Sequence, residues 1–239
     1  MATLEVIYCA GKNRTYAELA IEAGFSYGAQ LPNPVYFAPV FVDQDYQRPD
    51  LTKYLEAVKQ YKPRIATVLD WESKHSFETV IMWAEEIAPY VETVIIIPKV
   101  PGGVHRIPQA IGGKPVRLGY SVMTRYGGTA VPIWEFARRP VHLLGGSPQK
   151  QMRLYRMLNV TSVDGNMIQE RAHNGQYWTA GDATQARNRY FPQIQEMDGW
   201  TGADMPSEAF RRSCANVMKT WRRVVANTHD DLPLFSILG

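Results

Sequence analysis

Residues 141–166 of the chain, VHLLGGSPQKQMRLYRMLNVTSVDGN, decide the fold class. The apolar run Val141–Leu144 predicts a strand, and after two glycines Ser147 is a helix N-cap followed by a proline in the first helical position. The helix is predicted to extend over residues 148–158, and a second short strand follows at residues 161–163. A strand, a helix and a further strand in this order form the unit from which parallel sheets are built.

The same alternation of apolar runs and amphipathic segments covers the residues before this unit. Further strands are predicted at residues 4–9, 35–42, 65–69, 93–97 and 116–120, and further helices at residues 16–23, 51–61 and 77–90. The later strands are continuous apolar runs, which are typical of parallel strands covered on both faces. The pattern therefore predicts an α/β fold made of βα units, arranged either as a barrel or as an open sheet.

The pattern changes at about Gln176, where the chain becomes rich in tryptophan and arginine. We therefore expect two parts. Residues 1–175 form the α/β catalytic domain, and residues 176–239 form a C-terminal helical extension that packs on it.

The composition is that of a globular protein, with 45% of the 239 residues hydrophobic and 21% charged, which argues against disorder. No apolar run approaches the roughly 18 residues that a membrane span needs. Since no signal peptide is visible either, we expect a cytoplasmic location. Cys9 and Cys214 are too few for a disulfide framework or a four-cysteine zinc site, and we expect neither a metal nor a cofactor.

Polar residues or glycines follow the predicted strands, at the edge where parallel α/β folds carry their active sites. These residues are Asp43, Asp70, Lys99, Gly119, Gly145 and Asp164. Asp70 and Asp164 are the candidate catalytic residues, because paired carboxylates can stabilise or trap an oxocarbenium-like centre at a glycosidic bond. The alternative is that both acids cap the helices or turns that follow them.

Two further features each allow a functional and a structural interpretation. Gly145 and Gly146 could present backbone amides to a phosphate or a carbonyl oxygen, or they could simply form a tight turn. None of the five histidines has the spacing of metal ligands, and His173 is a candidate only because it closely follows Asp164.

The charge distribution permits a nucleic-acid partner, since the net charge is +3 and arginines concentrate towards the C-terminus. Candidate contacts to a nucleic-acid backbone are Arg125, Arg187, Arg189, Arg211, Arg212 and Arg222. Trp178, Trp200 and Trp221 lie in the same region and could stack on bases. The alternative is an amphipathic helix that packs its tryptophans inward and leaves its arginines in solvent.

Residues 139–148, the helix after them and residues 160–164 together resemble the tRNA-guanine transglycosylases. In that family a strand ends in a glycine turn, a helix starts at a proline, and the next strand delivers the nucleophilic aspartate, here Asp164. Leu69-Asp70 resembles an earlier strand end of the family, and residues 118–121 resemble its glycine-bearing strand end.

The resemblance covers roughly residues 60–175. The compact length and residues 10–13 and 69–72 are more similar to a small bacteriophage-associated branch of the family, whose members insert 7-deazaguanine bases into DNA.

The resemblance implies a reduced TIM-type (β/α)8-like barrel with a C-terminal helical extension, without the family's zinc subdomain, whose cysteines this chain lacks. It implies a pentosyltransferase that exchanges guanine in DNA, or else in tRNA, for a 7-deazaguanine such as preQ0. Asp164 would form a covalent glycosyl intermediate, and Asp70 would hold the incoming base and handle the proton on its nitrogen.

The residues expected to bind the substrate base are Glu72, Asp43, Lys99, Gly119, Tyr120, Gly145, Gly146 and His173. Lys99 stands where the family has an acid that reads the guanine edge. Glu72, Asp43 or backbone amides would then have to take over that task.

Three other functions stay open on the sequence. The first is an N-glycosidase or nucleosidase on the same barrel, with water as the acceptor. The second is a DNA-binding accessory protein without catalysis. The third is a phosphate-binding barrel enzyme that uses Gly145 and Gly146.

Overall fold

The computed structural model describes residues 4–125, 127–180, 191–194, 202 and 204–227. Its strands are β1 (Glu5–Ala10), β2 (Ser26–Gln30), β3 (Phe41–Asp43), β4 (Ile65–Trp71), β5 (Thr93–Pro98), β6 (Ala110–Ile111), β7 (Lys114–Ser121), β8 (Val141–Leu144) and β9 (Val160–Gly165). Its α-helices are α1 (Arg14–Glu22), α2 (Leu51–Tyr61), α3 (Phe77–Ile87), α4 (Pro148–Tyr155), α5 (Met167–Ala172) and α6 (Met205–Asn227).

Eight of these strands form a closed parallel barrel. Going round the ring, the order is β1, β2, β3, β4, β5, β7, β8 and β9, and β9 pairs with β1 to close it. The short strand β6 pairs antiparallel with β7 and lies outside the ring. The predicted α/β fold of TIM type is therefore confirmed, and the open sheet is excluded.

Helices α1, α2, α3 and α4 follow β1, β3, β4 and β8, whereas β2, β5 and β7 lead on through loops and short 3₁₀ turns. Helices α1 to α4 each start at a residue whose side chain accepts a backbone hydrogen bond. Asn13, Asp50, Ser76 and Ser147 cap α1, α2, α3 and α4 in this way. The cap predicted at Ser147 is confirmed.

The predicted strand at residues 35–42 is wrong over most of its length, because the strand there is only Phe41–Asp43. The apolar residues before it instead pack outside the barrel, where the Phe37 ring meets the Tyr27 ring. Strand β2 was also not predicted, because it has Gly28 where the neighbouring strands have the apolar side chains of Cys9 and Phe41. A Cβ on Gly28 would lie 2.8 Å from the Ile7 side chain and 3.0 Å from the Phe41 ring.

The barrel interior holds a small apolar cluster that is separate from the main core between strands and helices. Its members are Ile7, Cys9, Phe41, Ile65, Ile95 and Ile97. Gly28 and Gly119 face this cluster and leave the room that the larger side chains occupy. The polar residues described below fill the rest of the interior.

Helix α6 packs against α1, α4 and α5. Its Phe210 stacks on Tyr16 of α1, with ring centroids 4.4 Å apart. Trp221 is buried against Tyr155, and Trp178, just before the gap in the described residues, is buried too. These two tryptophans pack inward and cannot stack on bases, whereas Trp200 lies outside the described residues. The division at residue 175 stays a prediction.

No helix within the described ranges is both long enough and apolar enough to cross a bilayer.

Gly119→Ala should destabilise the fold, because the new Cβ would lie 2.5 Å from Ile97 Cγ1 and 2.8 Å from Leu144 Cδ1. Overpacking of this kind costs about 1–3 kcal/mol of the free energy of unfolding. Urea denaturation measures it. Gly11→Ala is the control and should leave the midpoint unchanged, because its Cβ would have open space around it. Equal midpoints for the two variants would show that Gly119 is not tightly packed.

Candidate active site at the carboxyl end of the barrel

Three aspartates stand at the carboxyl ends of three barrel strands. Asp43 ends β3, Asp70 lies at the end of β4, and Asp164 lies at the end of β9. Parallel strands in a closed barrel all end at the same rim, so these side chains share one face of the molecule. The charges of Asp164 and Asp70 both raise the pKa of Asp43, so each of these two carboxylates lies within electrostatic range of Asp43.

Asp164 is held firmly at this rim. Its side chain is 11% exposed, and its Oδ1 accepts a hydrogen bond from His142 Nε2 at 3.0 Å. Its backbone carbonyl accepts hydrogen bonds from Gln151 Nε2 at 2.7 Å and from the Gly145 amide at 3.1 Å. Among the described residues, no hydrogen bond reaches Oδ2 of Asp164. One carboxylate oxygen is thus fixed by a hydrogen bond, and the other accepts none within the described residues.

His142 is the residue that the sequence analysis overlooked. It lies on β8 and is fully buried. Its ring stacks on Phe41 with ring centroids 4.9 Å apart, and its Nδ1 lies 2.6 Å from Ser162 Oγ. Burial lowers the pKa of His142, and the hydrogen bond to Asp164 only partly opposes this, so the ring is neutral at pH 7. A lone histidine inside the apolar run Val141–Leu144 was the available signal, since its neighbours face outward.

Asp70 reaches the rim through an irregularity in its strand. The pairing of β4 with β5 shifts register between Thr67 and Asp70. Val68 and Leu69 pack in the outer core, while Asp70 on the other side of the shift faces the rim. A bulge of this kind re-aims a side chain. The sequence alone could not predict it.

Lys99 pairs with Asp70 rather than standing alone. Its Nζ forms an ion pair with Asp70 and lies 3.7 Å from Glu72 Oε2. Burial raises the pKa of Asp70, and the neighbouring Lys99 opposes that rise. Lys99 therefore lies in one cluster with the candidate catalytic residue Asp70 and the predicted base contact Glu72.

Asp43 has the most perturbed carboxyl group of the three. Its Oδ1 accepts a hydrogen bond from Thr67 Oγ1 at 2.6 Å. Burial, and then the charges of Asp164 and Asp70, raise the pKa of Asp43 to about 7 against the opposing effect of Thr67. At neutral pH this group can therefore both give and take a proton. Burial beside Asp164 and Asp43 also keeps the Cys9 thiol protonated by raising its pKa.

The remaining predicted base contacts have different surroundings. Gly119 faces the barrel interior. The Tyr120 ring packs on Phe136 with ring centroids 4.9 Å apart, so only the backbone of Tyr120 is available at the rim. The Gly145 amide already donates to Asp164, which fits the tight-turn interpretation better than a phosphate pocket. His173 is exposed beside Tyr16 at the end of α5, and no hydrogen bond joins its side chain to Asp164.

The predicted nucleic-acid contacts are spread over the molecule. Arg125, in the loop after β7, forms a 2.6 Å ion pair with Glu170. Arg211 and Arg212 both pair with Glu208 on α6. Arg222 lies beside Gly24, which precedes β2. This position is at the amino end of the barrel, opposite the three aspartates. Arg187 and Arg189 lie outside the described residues.

Two exposed apolar side chains in the connection from β7 to β8 were also not predicted as site residues from the sequence. Met123 is 53% exposed and Trp134 is 71% exposed. The residue after Trp134, Glu135, accepts a hydrogen bond from the Gly102 amide in the loop that leaves β5. This contact ties Trp134 to the loops of the carboxyl face.

Within the part of the chain that the structure describes, no three His, Cys, Asp or Glu side chains are grouped closely enough to hold a metal ion. The aspartates have instead hydrogen-bond donors or a lysine as partners.

Asp43→Asn should stabilise the protein at pH 8 and lose that advantage at pH 4.5. A raised carboxyl pKa means that the folded state prefers the protonated form, so its contribution is present below pH 4 and is lost as the pH rises through about 7. The uncharged amide removes this loss, which is on the order of 4 kcal/mol for a shift of about three pH units. Urea denaturation of both proteins across this range measures the difference. A stability difference that does not change with pH would contradict the assignment.

Comparison with known proteins gives a family but no activity. Residues 20–222 match a family described as a family of unknown function (DUF6610). No curated protein matches this sequence. Because the match extends over most of the chain, the protein belongs to the family of unknown function DUF6610.

Proposed function

We propose that the protein is a base-exchanging pentosyltransferase that replaces guanine in nucleic acid, most of all in DNA, with a 7-deazaguanine such as preQ0. The observation that carries the proposal is the convergence of Asp164 with Asp43 and Asp70 on one barrel rim. Exchange of an N-glycosidic bond needs a nucleophile at C1′ and a group that moves a proton on the base. The three carboxylates can supply both.

Asp164 is the proposed nucleophile. Its Oδ1 is held by His142, and Oδ2 attacks C1′ of the target deoxyguanosine. The bond from C1′ to N9 breaks, its electron pair leaves with guanine, and an ester joins Asp164 to the sugar. In the second half the N9 of the incoming 7-deazaguanine attacks C1′, gives up its proton, and releases Asp164 as a carboxylate. One N-glycosidic bond replaces another, so no nucleoside triphosphate is required.

The proton is best assigned to Asp43, although the resemblance gives this task to Asp70. The pKa of Asp43 lies at about 7, so it can donate to departing guanine and accept from the incoming base. Asp70 is paired with Lys99, which favours its carboxylate form. Together with Glu72, Asp70 is therefore suited to accept hydrogen bonds from the N–H edge of the base.

Nucleic acid would approach the carboxyl face of the barrel. The target base has to leave the stack, which costs a few kcal/mol, to reach a carboxylate at the rim. The exposed Trp134 offers a ring on which an unstacked base can pack, and Arg125 in the same set of loops can pair with phosphate. Binding through such contacts weakens as salt is added.

Water could replace the 7-deazaguanine as the acceptor, which would make the protein an N-glycosidase with the same residues. The geometry at the rim suits either acceptor. Product analysis therefore decides between them.

Wild-type protein incubated with DNA and isotope-labelled preQ0 should yield labelled nucleosides by mass spectrometry of the digested DNA. Asp164→Asn keeps the shape and the acceptor for His142 but removes the nucleophile, so labelling should fall by at least about 10³-fold. Asp50→Asn is the matched control. It changes an exposed aspartate to another good N-cap residue, and labelling should persist.

A parallel incubation with tRNA tests the second substrate. Labelling of tRNA alone would reverse the choice of DNA. Release of guanine without labelling would identify a hydrolase. Unchanged nucleosides in both substrates, or full labelling by Asp164→Asn, would overturn the proposed function.

A further inference from the structure

We infer that Arg117, Ser162 and His142 are positioning residues that hold the carboxylate of Asp164 through a chain of directed hydrogen bonds inside the barrel. The inference rests on the proposed function for what Asp164 does. The hydrogen-bond pattern can be tested without it.

The chain of contacts crosses three neighbouring strands. Arg117 on β7 donates from a terminal guanidinium nitrogen to Ser162 Oγ at 2.6 Å. Ser162 Oγ lies 2.6 Å from His142 Nδ1, and His142 Nε2 lies 3.0 Å from Asp164 Oδ1. Ser162 and Asp164 are two residues apart on β9 and so face the same side, and His142 pairs with Ser162 in the register of β8 with β9.

The direction of each hydrogen bond follows from the chemistry of the groups. A guanidinium only donates, so Ser162 Oγ accepts from Arg117 and turns its own hydrogen to His142 Nδ1. A neutral imidazole that accepts at Nδ1 carries its hydrogen on Nε2. That hydrogen then points at Asp164 Oδ1. The opposite tautomer would set two lone pairs against each other across 3.0 Å.

The charged groups at the two ends of the hydrogen-bond chain set the direction in which its hydrogen bonds point. Burial lowers the pKa of Arg117 to about 10, partly offset by Glu5, and the guanidinium still carries its charge at pH 7. His142 between the ends is neutral, because burial lowers its pKa. The Phe41 ring stacked on His142 restricts rotation of the imidazole. A cation at one end and a carboxylate at the other therefore select one tautomer.

The consequence for catalysis is preorganisation. With Oδ1 of Asp164 held by a fixed donor, the attacking oxygen keeps its orientation without cost at the moment of reaction. Removal of a group that supports a directly acting residue typically lowers activity by about 10- to 100-fold. We expect an effect of this size from each of the three positioning residues. The loss should appear in kcat and leave KM for DNA nearly unchanged, because Ser162 and His142 are fully buried and Arg117 contacts Ser162 from within the barrel.

The direct test is nitrogen NMR of protein labelled with ¹⁵N-histidine at pH 7.5. The His142 signals are assigned by their loss in His142→Gln. We expect a neutral ring with its hydrogen on Nε2 in wild type. We expect both tautomers in Ser162→Ala, which lacks the hydroxyl that selects one. A ring protonated on Nδ1 in wild type, whether neutral or charged, would overturn the inference, as would an unchanged tautomer in Ser162→Ala. Should Ser162→Ala not fold, the wild-type spectrum decides alone.

Kinetics of base exchange then test the positioning role. His142→Leu removes the donor to Asp164 and should lower kcat by about 10- to 100-fold with KM within twofold. His142→Gln keeps an N–H donor on a side chain of similar reach and should recover part of that loss. Equal kcat for wild type and His142→Leu would overturn the role. Absence of exchange in wild type would instead refute the proposed function, and the NMR result would still decide the hydrogen-bond chain.

Discussion

The pairing of β9 with β1 closes the barrel, and the geometry of the site depends on this closure. It sets Asp164 beside Ile7, and the parallel order of all eight strands sends every carboxyl end to the same rim. Asp164, more than a hundred positions from Asp43 in the sequence, then raises the pKa of Asp43. Without this pairing β1 and β9 would be the two edges of an open sheet, and Asp43 on β3 would lie far from Asp164 on β9.

The interior that results is unusual for a parallel barrel, because a polar line runs through it from Arg117 to Asp164. Such a line costs stability. Nε of Arg117 has no hydrogen-bond partner among the described residues, and a buried donor left unpaired is unfavourable. A core chosen for stability alone would fill this space with aliphatic side chains. Retention of a cation, an imidazole and a carboxylate in line is the kind of local cost that proteins bear at functional sites.

The glycines inside the barrel belong to the same arrangement. Gly28 leaves space for Phe41, whose ring covers His142, and Gly119 leaves space for Leu144 and Ile97. The ring of apolar residues around the polar line excludes water from His142. This low-dielectric interior strengthens electrostatic interactions at the rim. Burial in it also raises the pKa of Asp43.

The sequence predicted the strand ends well, and with them Asp43, Asp70, Lys99 and Asp164, because apolar runs that stop at a polar residue are a local signal. It could not predict how those residues pair. The ion pair of Lys99 with Asp70 depends on a register shift in β4 that no local pattern encodes.

His142 and β2 were missed for one shared reason. Inside a barrel the inward residues need not be apolar. A histidine in an apolar run and a glycine-bearing strand such as Ser26–Gln30 therefore lack the expected pattern.

The central claim is that a covalent bond forms between Asp164 and a nucleic-acid sugar, and trapping it is the most direct measurement. The protein would be incubated with guanine-containing DNA in the absence of any free base, denatured, digested and sequenced by mass spectrometry. We expect a peptide in which Asp164 carries the mass of the attached sugar. An adduct on another residue, or base exchange that proceeds with no adduct at any time, would contradict it.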